Sequence, residues 1–243
     1  MNLVVDVGNT QIKFAVFEGD ELLEKDSSNS ENAQVLFQDV LKTFPDLSKG
    51  IISSTNHVPD TLRKALFNNL HIVEFSHQSQ LNFVNNYKTP ETLGLDRIAL
   101  VAAAAESYSG QNVLVIDAGT CITYDFIDKS SVYQGGAISP GLQMRFKAMN
   151  TFTGNLPLLK DVINQPDYIG KSTTEAMQIG VFKSVCYEID GYIQDYLTDY
   201  EDLTVVLTGG DYYLLSASIK NSIFATPNFL LKGLNIILQL NSN

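Results

Sequence analysis

The residues best equipped for chemistry fall in two short segments that read alike. Val5-Asp6-Val7-Gly8-Asn9-Thr10 and Ile116-Asp117-Ala118-Gly119-Thr120 each end an apolar run on a carboxylate, then put glycine and a hydroxyl in the turn that follows. Such a turn suits a metal–phosphate group. Glycine lets the backbone approach without a Cβ. Backbone N–H groups and Thr10 can donate to phosphate oxygens, and Asp6 can hold Mg²⁺ directly or through water. Lys13, three residues after Thr10 on the returning strand, can neutralise phosphate charge. One such turn is as easily an ordinary hairpin with an exposed aspartate; the second copy favours function.

Three other segments carry weaker signals. Gly94-Leu95-Asp96-Arg97 sets a carboxylate beside a guanidinium at a loop-to-helix junction. Asp96 can simply cap the helix, with Arg97 solvated in the first turn. Arginine is unfavourable at a helix N-terminus, however, so Arg97 also suits a bidentate grip on an anionic substrate group. Asp96 can then accept the proton of an attacking hydroxyl. Leu207-Thr208-Gly209-Gly210-Asp211 reads as a tight turn or as flat backbone contact for a ligand. Gly135-Gly136-Ala137-Ile138-Ser139-Pro140-Gly141-Leu142 implies close backbone packing, at a bulge or a cleft wall.

The elements that must position these groups follow from periodicity. Strands are expected at Leu3–Val7, Ile12–Phe17, Glu21–Lys25, Gly50–Ser54 and His71–Phe75. Helices are expected at Glu31–Phe44, Pro59–Asn69 and Arg97–Ser107, with a polar loop over Ser76–Leu93. The opening pattern then returns, with strands at Val113–Ile116, Thr120–Ile127 and Val132–Ile138 and a helix at Pro140–Asn150. A loop at Thr153–Tyr168 and a long helix at Ser172–Tyr200 follow. Strands at Val205–Thr208 and Phe224-Ala225 and helices at Asp211–Lys220 and Asn228–Leu240 close the chain. The internal repeat predicts an α/β protein of duplicated βββαβα units, residues 1–110 and 111–243, with a cleft between them.

Composition narrows the partners. The chain has 243 residues, 16 Lys and Arg against 27 Asp and Glu, and a net charge of -11. With no basic cluster, nucleic acid and anionic membrane surfaces are disfavoured. An acidic protein can still hold ATP through backbone N–H groups, a helix dipole and Mg²⁺. Cys121 and Cys186 read as two separate thiols rather than a bridge. No apolar run is long enough to span a bilayer, and the opening residues do not read as a signal peptide, so the cytoplasm is the expected location.

Four ordered motifs carry a resemblance to a known family: Asp6-x-Gly8-Asn9-Thr10-x-x-Lys13, Gly94-x-Asp96-Arg97, Asp117-x-Gly119-Thr120 and Gly135-Gly136-x-Ile138-x-Pro140-Gly141-Leu142. Together they resemble type III pantothenate kinase, of the acetate kinase, sugar kinase, Hsp70 and actin superfamily, over nearly the whole chain. The resemblance implies ribonuclease H-like halves in an actin-like ATPase fold. It implies transfer of phosphate from ATP to the primary hydroxyl of pantothenate, a homodimer, Mg²⁺ and a monovalent cation, K⁺ or NH₄⁺. It further implies that Asp6, Val7, Gly8, Asn9, Thr10, Gln11, Ile12 and Lys13 cradle the phosphates and that Thr120 contacts ATP. Asp96 would be the general base and Asp117 the ligand of the monovalent cation. Tyr87, Gly94, Leu95, Asp96 and Arg97 would line the pantothenate pocket, with Thr173 reaching it from the neighbouring subunit. From the sequence alone, Ser172 and Glu175 form a capping box around Thr173, leaving its hydroxyl uncommitted. Cys121, Phe152 and Thr153 depart from the small residues usual in the family and bear on pocket shape. Another small-molecule kinase of sugar type, a nucleotide hydrolase and a non-catalytic regulatory relative are the alternatives.

Overall fold

The computed structural model describes all residues except 9–10, 55–56, 164–166 and 243. In chain order, the first elements are β1 (Asn2–Val7), β2 (Ile12–Glu18), β3 (Glu21–Ser28), α1 (Ala33–Thr43), β4 (Lys49–Ser54), α2 (Asp60–Asn69), β5 (His71–Glu74), the short β6 (Val84–Asn85) and α3 (Leu95–Ser107). They are followed by β7 (Asn112–Ala118), β8 (Cys121–Ile127), β9 (Val132–Pro140), α4 (Leu142–Phe152), α5 (Thr173–Asp199), β10 (Leu203–Thr208), α6 (Tyr212–Leu215), β11 (Phe224–Ala225) and α7 (Phe229–Leu240). The chain divides into two compact units, Met1–Ser109 with Phe229–Asn243, and Gly110–Asn228.

The first unit is built on a sheet in the order β3-β2-β1-β4-β5, antiparallel at β1–β2 and β2–β3 and parallel at β1–β4 and β4–β5. β1 is buried along its whole length, as a central strand covered on both faces must be. Leu3, Val5 and Val7 face a core with Phe14, Val16, Phe37, Leu62 and Leu66. α3 and α7 pack tightly together. α3 is lined with buried alanines, and a Cβ at Gly233 of α7 would fall 1.8 Å from the Ala99 carbonyl oxygen. The buried amide of Asn2 donates to Asn235 Oδ1 at 2.7 Å. The sequence expectation placed α7 with the second half. The packing places it in the first unit, because a helix with Leu231, Leu234, Ile237 and Leu238 all buried finds its apolar partners there.

The second unit repeats the plan, with strands in the order β11-β10-β7-β8-β9. One face of the sheet, including Leu114, Ile116, Tyr124 and Leu207, packs on Val181, Phe182, Val185 and Ile189 of α5. Ser172 caps α5 as its spacing predicts, its Oγ accepting the Glu175 N–H at 3.2 Å. The Glu175 carboxylate returns to the Lys171 N–H at 2.7 Å rather than to Ser172 itself. α6 is a single turn, shorter than the expected Asp211–Lys220 helix. Both cysteines are free, and burial pushes the Cys186 thiol up to about 11.

Candidate functional site

In the first unit, Asp6 ends β1 and is 9% exposed. The register sets Ser53 of β4 on one side of it and Lys13 of β2 on the other. Lys13 Nζ lies 3.2 Å from Asp6 Oδ2. Burial raises the Asp6 pKa above its ordinary range; the charge and hydrogen bond of Lys13 pull it back, and the negative charge of Asp96 adds to the rise. Asp6 and Asp96 therefore lie within each other's field. In the turn, the Gly8 N–H donates to the Gln11 carbonyl at 3.1 Å. Val7 and Ile12 are buried at 2% and 1% exposure, so only their backbone can serve a ligand. Asn9 and Thr10 lie outside the described residues.

The segment before α3 is wired by short-range contacts. Tyr87 N–H donates to Asn85 Oδ1 at 3.0 Å, and the Arg97 guanidinium lies 5.8 Å from the centroid of the Tyr87 ring, within cation–π range. Arg97 is 4% exposed, not solvated as a plain first-turn residue would be. Gly94, not Asp96, occupies the N-cap position. Asp96 sits inside the first turn, where its Oδ1 accepts the Arg97 N–H at 2.9 Å. A Cβ at Gly94 would come 2.4 Å from that same oxygen, so the glycine makes room for the carboxylate. His77, which the sequence did not single out, reaches in from sixteen residues upstream: its Nε2 lies 2.8 Å from the carbonyl oxygen of Leu93.

The second unit places Asp117 at the end of β7, with Thr208 of β10 and Thr123 of β8 abreast of it. Gly209 is pressed against the carboxylate; a Cβ there would fall 2.3 Å from Asp117 Oδ1, and its φ of 95° is one that side chains resist. The Gly209-Gly210 element thus belongs to Asp117, a link that the sequence did not show. The Asp211 N–H donates to the Ala118 carbonyl at 2.9 Å, and burial raises the Asp211 carboxyl pKa. Thr120 is exposed in the hairpin turn, its carbonyl held by the Gly141 N–H at 3.0 Å. Gly141 is required here, since a Cβ would meet the Gly119 carbonyl oxygen at 2.0 Å. Thr173 is exposed on the first turn of α5. Thr123 went unremarked in the sequence; counting back across the hairpin from Asp117 would have found it.

Each of the two units carries a ββ-hairpin with an aspartate at the end of its central strand and glycine in the turn, an α/β plan of the sugar kinase fold. The sequence profile of type III pantothenate kinase matches residues 2–195. The chain belongs to the type III pantothenate kinase family. It is 48% identical over 241 residues to the type III pantothenate kinase of Christiangramia forsetii, covering 99% of both chains. It is 44% identical over 240 residues to that of Flavobacterium johnsoniae, covering 98% of both. Among solved structures, a ROK family glucokinase from Streptomyces griseus, in complex with glucose and AMPPNP, shares the fold at a TM-score of 0.52 and 11% identity, with 99% of both chains covered.

Proposed function

We propose that this chain phosphorylates the primary hydroxyl of pantothenate with ATP, giving 4′-phosphopantothenate and ADP. The observation that carries the proposal is the pairing of a full-length family match with the placement of Asp96. It stands inside the first turn of α3, beside the buried Arg97 and within the field of Asp6. Phosphoryl transfer passes through a loose transition state, so positioning and charge neutralisation dominate. Asp96 orients the hydroxyl and takes its proton, Arg97 and Tyr87 bind the acceptor with the backbone of Gly94 and Leu95, and Lys13 neutralises phosphate. The turn backbone from Val7 to Ile12 and Thr120 bind the nucleotide.

Two ions belong to this reading. The buried Asp6 carboxylate, at the mouth of a glycine turn, fits Mg²⁺, whose part is to neutralise charge on the phosphates. The Asp117 carboxylate, lodged against bare Gly209 backbone, fits a monovalent cation, K⁺ or NH₄⁺. A homodimer is supported by the exposed apolar residues Phe152, Tyr168 and Ile169 of the second unit, at 85%, 80% and 65% exposure. Thr173 would meet the neighbouring subunit's pantothenate. A cytoplasmic location is in keeping with a metabolic kinase in which, among the described residues, no helix is long and apolar enough to cross a membrane.

A coupled ADP-release assay with pantothenate, with and without K⁺, tests the proposal. An acceptor panel that includes hexoses separates it from a sugar-type kinase, and light scattering reads the dimer. ADP release that ignores pantothenate and follows another alcohol, or water, would overturn it.

A further inference from the structure

We propose that Thr123 completes a monovalent-cation site with Asp117, and that the ion held there does in the second hairpin what the ammonium of Lys13 does in the first. The inference rests on the reading that Asp117 holds a monovalent cation. It goes further by naming the residue that completes the site.

The two units place matching side chains in matching rows. In the first, Ser53, Asp6 and Lys13 stand abreast on β4, β1 and β2. In the second, Thr208, Asp117 and Thr123 stand abreast on β10, β7 and β8. The pairing is parallel on the hydroxyl side and antiparallel on the other in both. Ser53 and Thr208 are each 3% exposed. Directly opposite residues of an antiparallel pair share a face, with Cβ atoms about 4.5–5.5 Å apart. That proximity is what lets Lys13 reach Asp6. The rows therefore differ at one position: a cationic side chain faces the first aspartate and a hydroxyl faces the second.

The hydroxyl itself points to a ligand. Thr123 is 9% exposed, and its Oγ1 is buried with no hydrogen-bond partner among the described residues. Burying a hydroxyl without a partner is unfavourable, and such groups in native proteins call for an explanation. An oxygen beside a carboxylate offers lone pairs to a cation. Gly209 supports the same reading from the other side, since any side chain there would evict Asp117 Oδ1. The charge of the row selects the ion. One carboxylate and two neutral hydroxyl oxygens match a single positive charge, as in the row that Lys13 completes. Neutral oxygens suit K⁺, whereas Mg²⁺ demands near-octahedral geometry and keeps several waters.

The test compares thermal melting in KCl and in choline chloride at equal ionic strength, alongside the K⁺ dependence of ADP release. An ion that binds only the folded chain raises its melting temperature. Wild type is expected to melt higher in KCl. T123V, which keeps the shape and removes the oxygen, is expected to need about tenfold more K⁺ for the same response, and T123S to behave as wild type. T123K is expected to melt independently of K⁺ and to turn over without it. If T123K does not fold, T123V decides: a wild-type K⁺ response in T123V overturns the proposal. D117N separates the two levels. A K⁺ response lost in D117N but intact in T123V removes Thr123 alone. A response that survives D117N, or is absent from wild type, removes the cation from Asp117 and the proposal with it.

Discussion

Lys13 Nζ stands 3.2 Å from Asp6 Oδ2, across the register that pairs β1 with β2. The pair does not fully offset burial, and the folded Asp6 pKa is raised from its ordinary value of 3.8. Between that value and the raised one the native state holds more protons than the unfolded chain, so stability falls as pH rises through the window and stays lower above it. D6N carries no charge to desolvate. It is expected to melt higher than wild type at pH 7, with the gap closing toward pH 4, and to lose kinase turnover. A D6N protein that melts no higher at pH 7 would contradict the burial account.

The Asp96 carboxylate accepts from the neighbouring Arg97 N–H, a bond that an asparagine side-chain oxygen can also accept. D96N is expected to fold normally and to lose turnover by about 10²–10⁴-fold, the scale of a general base. Stopped-time ADP release with saturating pantothenate measures it, and near wild-type turnover removes Asp96 from the mechanism.

His77 tethers the carbonyl of Leu93, three residues ahead of Asp96. A carbonyl only accepts, so Nε2 must carry the proton. The amide nitrogen of glutamine reaches about as far as Nε2, and that of asparagine only about as far as Nδ1. H77A and H77N should therefore lower kcat/KM for pantothenate by about threefold to tenfold, the worth of one hydrogen bond, with KM for ATP unchanged. H77Q should restore it. A drop shared equally by H77Q, or confined to the melting temperature, marks His77 as merely structural.

Away from the site, Arg145 joins α4 to α5. It donates to the Glu188 carboxylate, to Ser184 Oγ at 3.2 Å and to Ser139 Oγ at 2.9 Å, while the Tyr124 hydroxyl donates to Glu188 Oε1 at 2.8 Å. Burial raises the Glu188 carboxyl, but hydrogen bonds from Arg145, Ser139 and Tyr124 outweigh it and hold the group below its usual range. Its contribution is present at neutral pH and fades as pH falls through the lowered folded value. E188A is expected to destabilise by about 1–3 kcal/mol in urea titrations at pH 7. The difference should shrink in acid.

Much of this was legible in the residues. The apolar runs at Leu3–Val7 and Val113–Ile116 had to be central strands, and the Asp-Gly turns after them identified the repeat. What was hidden depends on contacts distant in sequence. Asp211–Lys220 has helical spacing, yet only Tyr212–Leu215 is helical, because tertiary context overrides propensity. Asp96 could have capped α3 by its residue type, but Gly94 holds the N-cap position, where a Cβ would come 2.4 Å from the Asp96 carboxylate. Thr123 and His77 are ordinary residue types, significant only through register in one case and a long-range hydrogen bond in the other.

The return of α7 to the first unit has a bearing on how the chain is made. Residues Gly110–Asn228 leave the ribosome before Phe229–Leu240 does, so the middle segment can close its sheet while the amino-terminal one still lacks the helix that covers Ala99 and pairs with Asn2. Order of synthesis and order of completion are thereby reversed for the two units. β1, which carries Asp6, is made before the second unit yet meets its α7 partner only after it.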